Sequence, residues 1–175
     1  MNYIIKPALT MFITAAVAVA ALSYVHAITY EPIRQQALAL QNAALFEVLP
    51  QAETFYELEV DLPDNINTVF EAIIGGEVIG YAIETSRMGF GGPITIMVGV
   101  SSGDEMISGL RVLGHTESPG FGDPLNTEAF GALFEGMPLT PVTEIDTLTG
   151  ATATRDAVID AVNFALDWYN GGSGR

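Results

Sequence analysis

Twenty consecutive residues without a formal charge, Ala8 to Ala27 (ALTMFITAAVAVAALSYVHA), constrain this chain more than any other feature. At ~1.5 Å per residue such a run spans roughly 30 Å as a helix, the thickness of a hydrocarbon core. A cleaved signal peptide is the competing explanation, because Val25-His26-Ala27 has a small residue where cleavage would fall. The apolar run exceeds the ~7–15 residues of a signal core, which favours a retained transmembrane anchor. Lys6 precedes the span and Glu31 and Arg34 follow it. That narrow bias places the N-terminus in the cytoplasm and the rest outside. Seven of the twenty residues are alanine, with Thr10, Thr14 and Ser23 among them; small residues either let the helix approach partner helices closely or are tolerated filler. His26 falls at the wet end of the span, an interfacial position rather than a metal ligand.

The rest of the chain carries the opposite character. Residues 31–175 hold all 21 acidic residues against five arginines, a formal −16. A field of that sign repels phosphate backbones and excludes nucleic acid as a partner; it suits a solvated surface or an acidic docking face. Hydrophobic residues make up 49% of the chain, which excludes a disordered protein. Cysteine is absent, so iron–sulfur ligation, thiolate catalysis, zinc ribbons and disulfides are all removed. Electron chemistry in such a chain needs an organic cofactor.

After the span, Pro32 suits the first turn of a helix, and 33–49 (IRQQALALQNAALFEVL) is rich in helix formers until Pro50. Strand patterns follow at 53–60, 68–74 and 77–84, with Gly75-Gly76 between the last two predicting a tight hairpin. Residues 94–100 and 106–113 flank Ser101-Ser102-Gly103-Asp104, a second hairpin turn. A short helix is predicted over 126–134. The strongest helix pattern is Thr154 to Tyr169, where Val158, Val162, Ala165, Leu166 and Tyr169 share one face before Gly171-Gly172. The expected class is α+β, one N-terminal transmembrane helix followed by a domain with an antiparallel sheet and flanking helices.

Asp146-Thr147-Leu148-Thr149-Gly150-Ala151-Thr152-Ala153-Thr154 directly precedes that helix. Small residues admit a phosphate close to the backbone, and a helix N-terminus offers unpaired N–H groups and a positive dipole end. Helix capping alone would also explain one such threonine. Glycines in His115-Thr116-Glu117-Ser118-Pro119-Gly120-Phe121-Gly122 would admit a flat ring, and Glu117 and Ser118 supply hydrogen-bonding edges; an ordinary surface loop has the same composition. His115 lacks the Gly-x-Ser-x-Gly elbow of a hydrolase. Asp61-Leu62-Pro63-Asp64-Asn65 lacks the spacing and glycine of a calcium loop and is a turn.

The nine residues ending at Thr154 resemble the Asp-x-x-[Ser/Thr]-Gly-Ala-[Ser/Thr]-x-Thr flavinylation sequence of the FMN-binding domain family. That family includes the G subunit of Rnf-type complexes and the C subunit of sodium-translocating NADH:quinone reductases. Asp146, Thr149, Gly150, Ala151, Thr152 and Thr154 fill every patterned position. Gly89-Phe90-Gly91-Gly92-Pro93-Ile94 resembles the family's Gly-aromatic-Gly-Gly-Pro turn. The loop 115–122 resembles its His-x-Glu-Thr-Pro-Gly-Leu-Gly loop, with Ser118 for Thr and Phe121 for Leu. The resemblance covers nearly the whole chain, with the motifs in the family's order.

It implies an extracytoplasmic FMN-binding domain at 51–170, after a cytoplasmic tail (1–6), a transmembrane helix (7–29) and a connecting helix (30–50), and before a tail at 171–175. It implies FMN joined through its phosphate to Thr154 by a separate flavin transferase. Thr149, Gly150, Ala151, Thr152, Glu117, Ser118, Pro119 and Gly120 would line the cofactor, with no catalytic residue and no metal. The implied role is an electron relay among the membrane and peripheral subunits of an ion-translocating ferredoxin:NAD oxidoreductase in the cytoplasmic membrane. The short chain is more similar to the Rnf member than to the quinone-reductase one. A stand-alone flavin carrier and an unflavinylated assembly protein are the other readings.

Overall fold

The computed structural model describes residues 2–145 and 152–173. The chain divides into two compact units, Met1–Leu40 and Gln41–Arg175. The described residues of the first are helical, part of helix α1 (Asn2–Val48). This helix is long and apolar enough to cross a membrane, with an 18-residue stretch whose mean hydropathy is 2.0. Two of its hydroxyls are satisfied locally: Thr10 donates to the Lys6 carbonyl at 3.0 Å and Thr14 to the Thr10 carbonyl at 3.1 Å. A hydroxyl bonded back onto its own helix presents no unmet donor to lipid. Pro32 does not begin a separate helix. It lies inside α1, where it withholds only the one N–H that the Ile28 carbonyl would have taken. The helix ends at Val48, two residues before Pro50.

The second unit is built on five strands: β1 (Thr54–Glu57), β2 (Ile66–Ile74), β3 (Glu77–Met88), β4 (Pro93–Ser101) and β5 (Met106–His115). They lie in chain order, every neighbour antiparallel. The β2–β3 hairpin closes on Gly75 and Gly76 at φ +58° and +88°; this two-residue turn needs left-handed backbone at both positions, which glycine adopts without strain. Beyond β5 come a 3₁₀ turn (Asp123–Asn126), a short helix α2 (Glu128–Ala132) and helix α3 (Thr152–Trp168), which runs into a wide turn at Tyr169–Ser173. At its start the outer edge of β5 is covered by the chain after α2: the Ile107 N–H donates to the Met137 carbonyl and the Gly136 N–H to the Ile107 carbonyl, both at 2.9 Å. Such cover removes a free ladder edge.

One face of the sheet packs on α3 and the helices around it. Ile83, Ile94, Ile96, Val98, Val100 and Ile107 meet Val158, Val162, Ala165 and Leu166 there. All five residues of the face read from the sequence, Tyr169 included, are buried. Buried Thr85 donates to the Ala161 carbonyl at 3.1 Å, so a polar side chain in the core is paired. The other face is covered by the end of α1: Ala44, Leu45, Val48 and Leu49 pack on Ala72, Ala82 and Met97. Close approach here depends on missing side chains. A β-carbon on Gly99 would lie 2.5 Å from the Val48 carbonyl oxygen, and one on Gly109 3.1 Å from the Val48 Cα. Ser108 Oγ then donates to that same carbonyl at 2.6 Å, which caps a helix end.

Candidate functional site

The strand register brings two of the noted loops to one end of the sheet. Met88 pairs with Pro93, so Gly89–Gly92 is the β3–β4 turn; Ile94 pairs with His115, so the loop 116–122 leaves β5 beside it. The turn is tied across its mouth by the Gly89 N–H donating to the Gly92 carbonyl at 2.8 Å. The two loops are then bonded to each other. The Gly91 N–H donates to Glu117 Oε2 and Thr116 Oγ1 to the Gly91 carbonyl, each at 3.2 Å.

Most of the glycines serve this interlock. A β-carbon on Gly89 would collide with Glu117 Oε1, one on Gly92 with Thr116 Oγ1, and one on Gly122 would come within 2.5 Å of the His115 ring. The missing side chains of Gly89 and Gly92 admit the neighbouring loop, and that of Gly122 admits His115 at the base of its own loop. Gly120 differs: at φ +91° it has nothing within 4 Å of where its β-carbon would stand. Its N–H donates to Asp123 Oδ2 at 3.0 Å. Ser118, Pro119 and Gly120 form the exposed side of the loop. Glu117 is its buried side, 8% exposed, with Oε1 lacking a hydrogen-bond partner among the described residues.

His115 holds the base of the loop. Its Nδ1 accepts the Glu117 N–H at 3.2 Å, and its Nε2 lies 3.0 Å from the side-chain amide of Asn126. The Asn126 atom that faces Nε2 is its amide nitrogen Nδ2. The histidine is thus a structural strut between two polar partners.

Helix α3 arrives at the same end. Tyr81 stacks against Trp168 and Tyr169 at 5.9 Å, and Thr85 bonds Ala161, so α3 runs antiparallel to β3. Continuing seven residues from Ala161 to Thr154 covers ~10 Å, about three residues of strand, which brings the helix start level with Met88 and the glycine turn. The preceding segment is strapped along α3: Asn163 accepts the Val142 N–H at 2.7 Å and donates to its carbonyl at 2.9 Å, while Asn170 donates to the Leu139 carbonyl at 3.0 Å. This antiparallel strap delivers the chain to the start of α3 at buried Ile145. Asp146, Thr149, Gly150 and Ala151 lie outside the described residues. Thr152 is exposed, whereas Thr154 is 1% exposed on the inner side of the first turn.

Around this end the surface is apolar. Met88 and Phe90 are 71% and 77% exposed, and Phe121 is half exposed. Apart from Glu117, which points inward, residues 116–122 carry no charge, and residues 88–94 carry none at all. Three large exposed apolar side chains at one end stand out on so acidic a domain, with the Asp123 carboxylate held beside them by the Gly120 N–H.

Known proteins decide the family. Residues 1–48 match the family model of the RnfG N-terminal region and residues 89–167 that of the FMN-binding domain. The G subunit of an ion-translocating oxidoreductase complex from Methanosarcina acetivorans is 33% identical, over 98% of this chain and 97% of the relative. The chain belongs to the RnfG family of ion-translocating oxidoreductase complexes. A second member, the G subunit of a Na(+)-translocating ferredoxin:NAD(+) oxidoreductase complex from Acetobacterium woodii, is 27% identical over 95% of this chain and 91% of its own length. The solved C subunit of a Na(+)-translocating NADH-quinone reductase from Parabacteroides distasonis aligns with a TM-score of 0.49 at 22% identity, over 58% of this chain and 60% of that one.

As an RnfG-family member, the chain carries an FMN-binding domain, and the residues at this end of the sheet fit such a group. The first N–H groups of α3 suit a phosphate, and the exposed Met88, Phe90 and Phe121 side chains suit a flat ring. Several contributors were not legible in the sequence. Arg87 stacks on Phe164 at 4.0 Å and donates to Asn65 at 3.1 Å, which ties the 61–65 turn to β3; Asn126 and Asn163 likewise bond residues distant in sequence. No sequence pattern distinguishes a polar side chain destined for a backbone partner twenty residues away.

Proposed function

We propose that this RnfG-family chain carries FMN as a phosphoester on Thr154, placed there by a flavin transferase, and relays electrons within an ion-translocating ferredoxin:NAD oxidoreductase. The relatives' complexes support that role over one in a quinone reductase or a free flavin carrier. The observation that carries the reading is the convergence of the α3 start, holding the last residues of the acceptor motif, with the two glycine loops at one end of the sheet. FMN supplies the redox chemistry when bound; the chain holds, shields and orients it. Its phosphate would meet the first N–H groups of α3 and the Thr149–Thr152 segment. Its ring would lie against Ser118, Pro119 and Gly120 beside the exposed apolar side chains.

In this reading residues 7–29 cross the cytoplasmic membrane, 1–6 stay inside, 30–50 connect, and the domain at 51–170 stands outside, with 171–175 as a tail. The other membrane and peripheral subunits are its partners. Because Thr154 is 1% exposed, the transferase acts while the first turn of α3 is open. Exposed Thr152 is the competing acceptor.

Thr154→Val removes the ester oxygen and keeps the β-branched shape of the buried side chain. Coexpressed with a transferase, the wild-type chain should exceed its 18.6 kDa sequence mass by one FMN and fluoresce on a denaturing gel. Thr154→Val should do neither, and Thr152→Val should do both. Fluorescence lost only in Thr152→Val moves the ester to that residue. Protease on intact spheroplasts should digest the domain; digestion restricted to inverted vesicles reverses the topology.

A further inference from the structure

The Glu117 side chain has two unlike oxygens. Oε2 takes the Gly91 N–H at 3.2 Å, and Oε1 is buried without a partner among the described residues. The side chain fits there because Gly89 has no β-carbon, and its own backbone N–H is held by His115 Nδ1. Next to it Thr116 Oγ1 donates to the Gly91 carbonyl, so both backbone groups of Gly91 are taken by consecutive side chains of the other loop. Two loops of largely small residues have little apolar contact to hold them together, and a buried carboxylate is an expensive way to do so unless its geometry matters.

We infer that Glu117 is a positioning residue that clamps the loop 116–122 onto the β3–β4 turn, so that Ser118–Gly120 present a fixed surface to the flavin, rather than itself bonding the ring. The inference rests on the proposed placement of FMN at this end. It extends that placement by assigning the ring-facing surface to the loop's outer side and the carboxylate to its anchor. A flexible loop over a tethered flavin leaves the ring free to swing about its phosphoester. A clamped loop stops that motion.

The test uses the full-length chain in detergent, with and without transferase treatment, as wild type, Glu117→Ala, Glu117→Gln, Gly89→Ala and the Gly89→Ala/Glu117→Ala pair. In the flavin-free chains, Gly89→Ala should lower the Tm because its methyl evicts the carboxylate. Its further effect in the Glu117→Ala background should be at most half as large, the remainder being contact with Ile94. In the flavin-loaded chains, Glu117→Ala should lower the fluorescence anisotropy of the attached flavin and raise its quenching by iodide. Glu117→Gln, which keeps an oxygen for the Gly91 N–H, should restore both.

Additive Tm losses in the flavin-free set overturn the clamp. Coupled losses with unchanged anisotropy and quenching overturn its role in holding the flavin. Glu117→Gln behaving like Glu117→Ala overturns the geometric account in favour of direct action by the charge. If Gly89→Ala does not fold, the Ala-against-Gln comparison at 117 decides alone. If the wild type takes no flavin, the covalent reading fails by itself, and the flavin-free melting temperatures still decide the clamp.

Discussion

The face of the sheet toward α3 and the face toward the end of α1 solve the same problem with different materials. On the first, large branched side chains from four strands interdigitate with a full helical face, and Phe134, Ile83, Ile94, Ile96 and Leu166 are almost completely buried. On the second, two helical turns sit close against alanines and glycines, and a carbonyl meets a serine where a bulky side chain would otherwise stand. Burial stabilises in proportion to apolar area, ~25 cal/mol per Å², so the α3 face should supply most of the stability. The α1 face supplies fit. Its glycines permit close approach, and close approach ties the domain to the last turns of its helix. A domain can therefore draw stability from one face and its attachment from the other.

The largest expected effect comes from opening a hole on the α3 face. Leu166→Ala removes a fully buried side chain and should cost ~2–5 kcal/mol, read as a lower denaturant midpoint with an unchanged slope. A smaller cost than that of the next variant would erase the asymmetry between the faces.

Gly99→Val is next. Its added carbons would strike Val48, and overpacking of this kind costs ~1–3 kcal/mol. The signature should be local: faster amide exchange and protease cleavage around residues 45–52, with α3 protected as before. Exchange rising equally in α3 would mean that the faces form one cooperative unit.

Ser108→Ala should cost ~1 kcal/mol by leaving the Val48 carbonyl without its 2.6 Å donor. The change should appear in the same 45–52 amides. No change there would mean that shape alone seats the helix.

The smallest effect is alkaline. Burial raises the Tyr81 phenol above its ordinary 10.0, with Glu71 and Tyr169 adding to the rise. The unfolded chain therefore gives up this proton first. The contribution to stability is complete below pH ~10 and is lost as pH rises through the higher folded value. Tyr81→Phe should flatten that alkaline loss in a pH series of melting temperatures. An equal slope in both proteins would place the loss elsewhere.

Much of this architecture was legible because it is periodic or local. The charge-free run at 8–27 appears within a single apolar helix, Gly75-Gly76 is the hairpin turn, and the buried stripe of α3 falls on the residues its spacing marked. The edges were less so. The 53–60 pattern yields only Thr54–Glu57 as strand, because β1 is an edge with a single neighbour, and β3 extends past Glu84 to Met88 because β4 continues to pair with it. Pro32 looked like a helix start, yet an established helix absorbs one missing N–H. At the candidate site the sequence marked both glycine loops, and only the structure shows that Gly89, Gly91 and Gly92 leave room for the 116–117 backbone and side chains while Gly120 faces open space.

From sequence alone come the apolar helix, the order of strands and helices, the acidic domain and the membership that its motifs announced, because each is written in residues near one another or in composition. Tertiary structure alone decides that Gly99 and Gly109 seat Val48, that Asn163 straps the segment around Val142 onto α3, that Thr154 turns inward while Thr152 faces out, and that Glu117 reaches Gly91. Each depends on which strands are neighbours and in what register. A one-residue slip would put different side chains face to face, and nothing local to any of these residues records that choice.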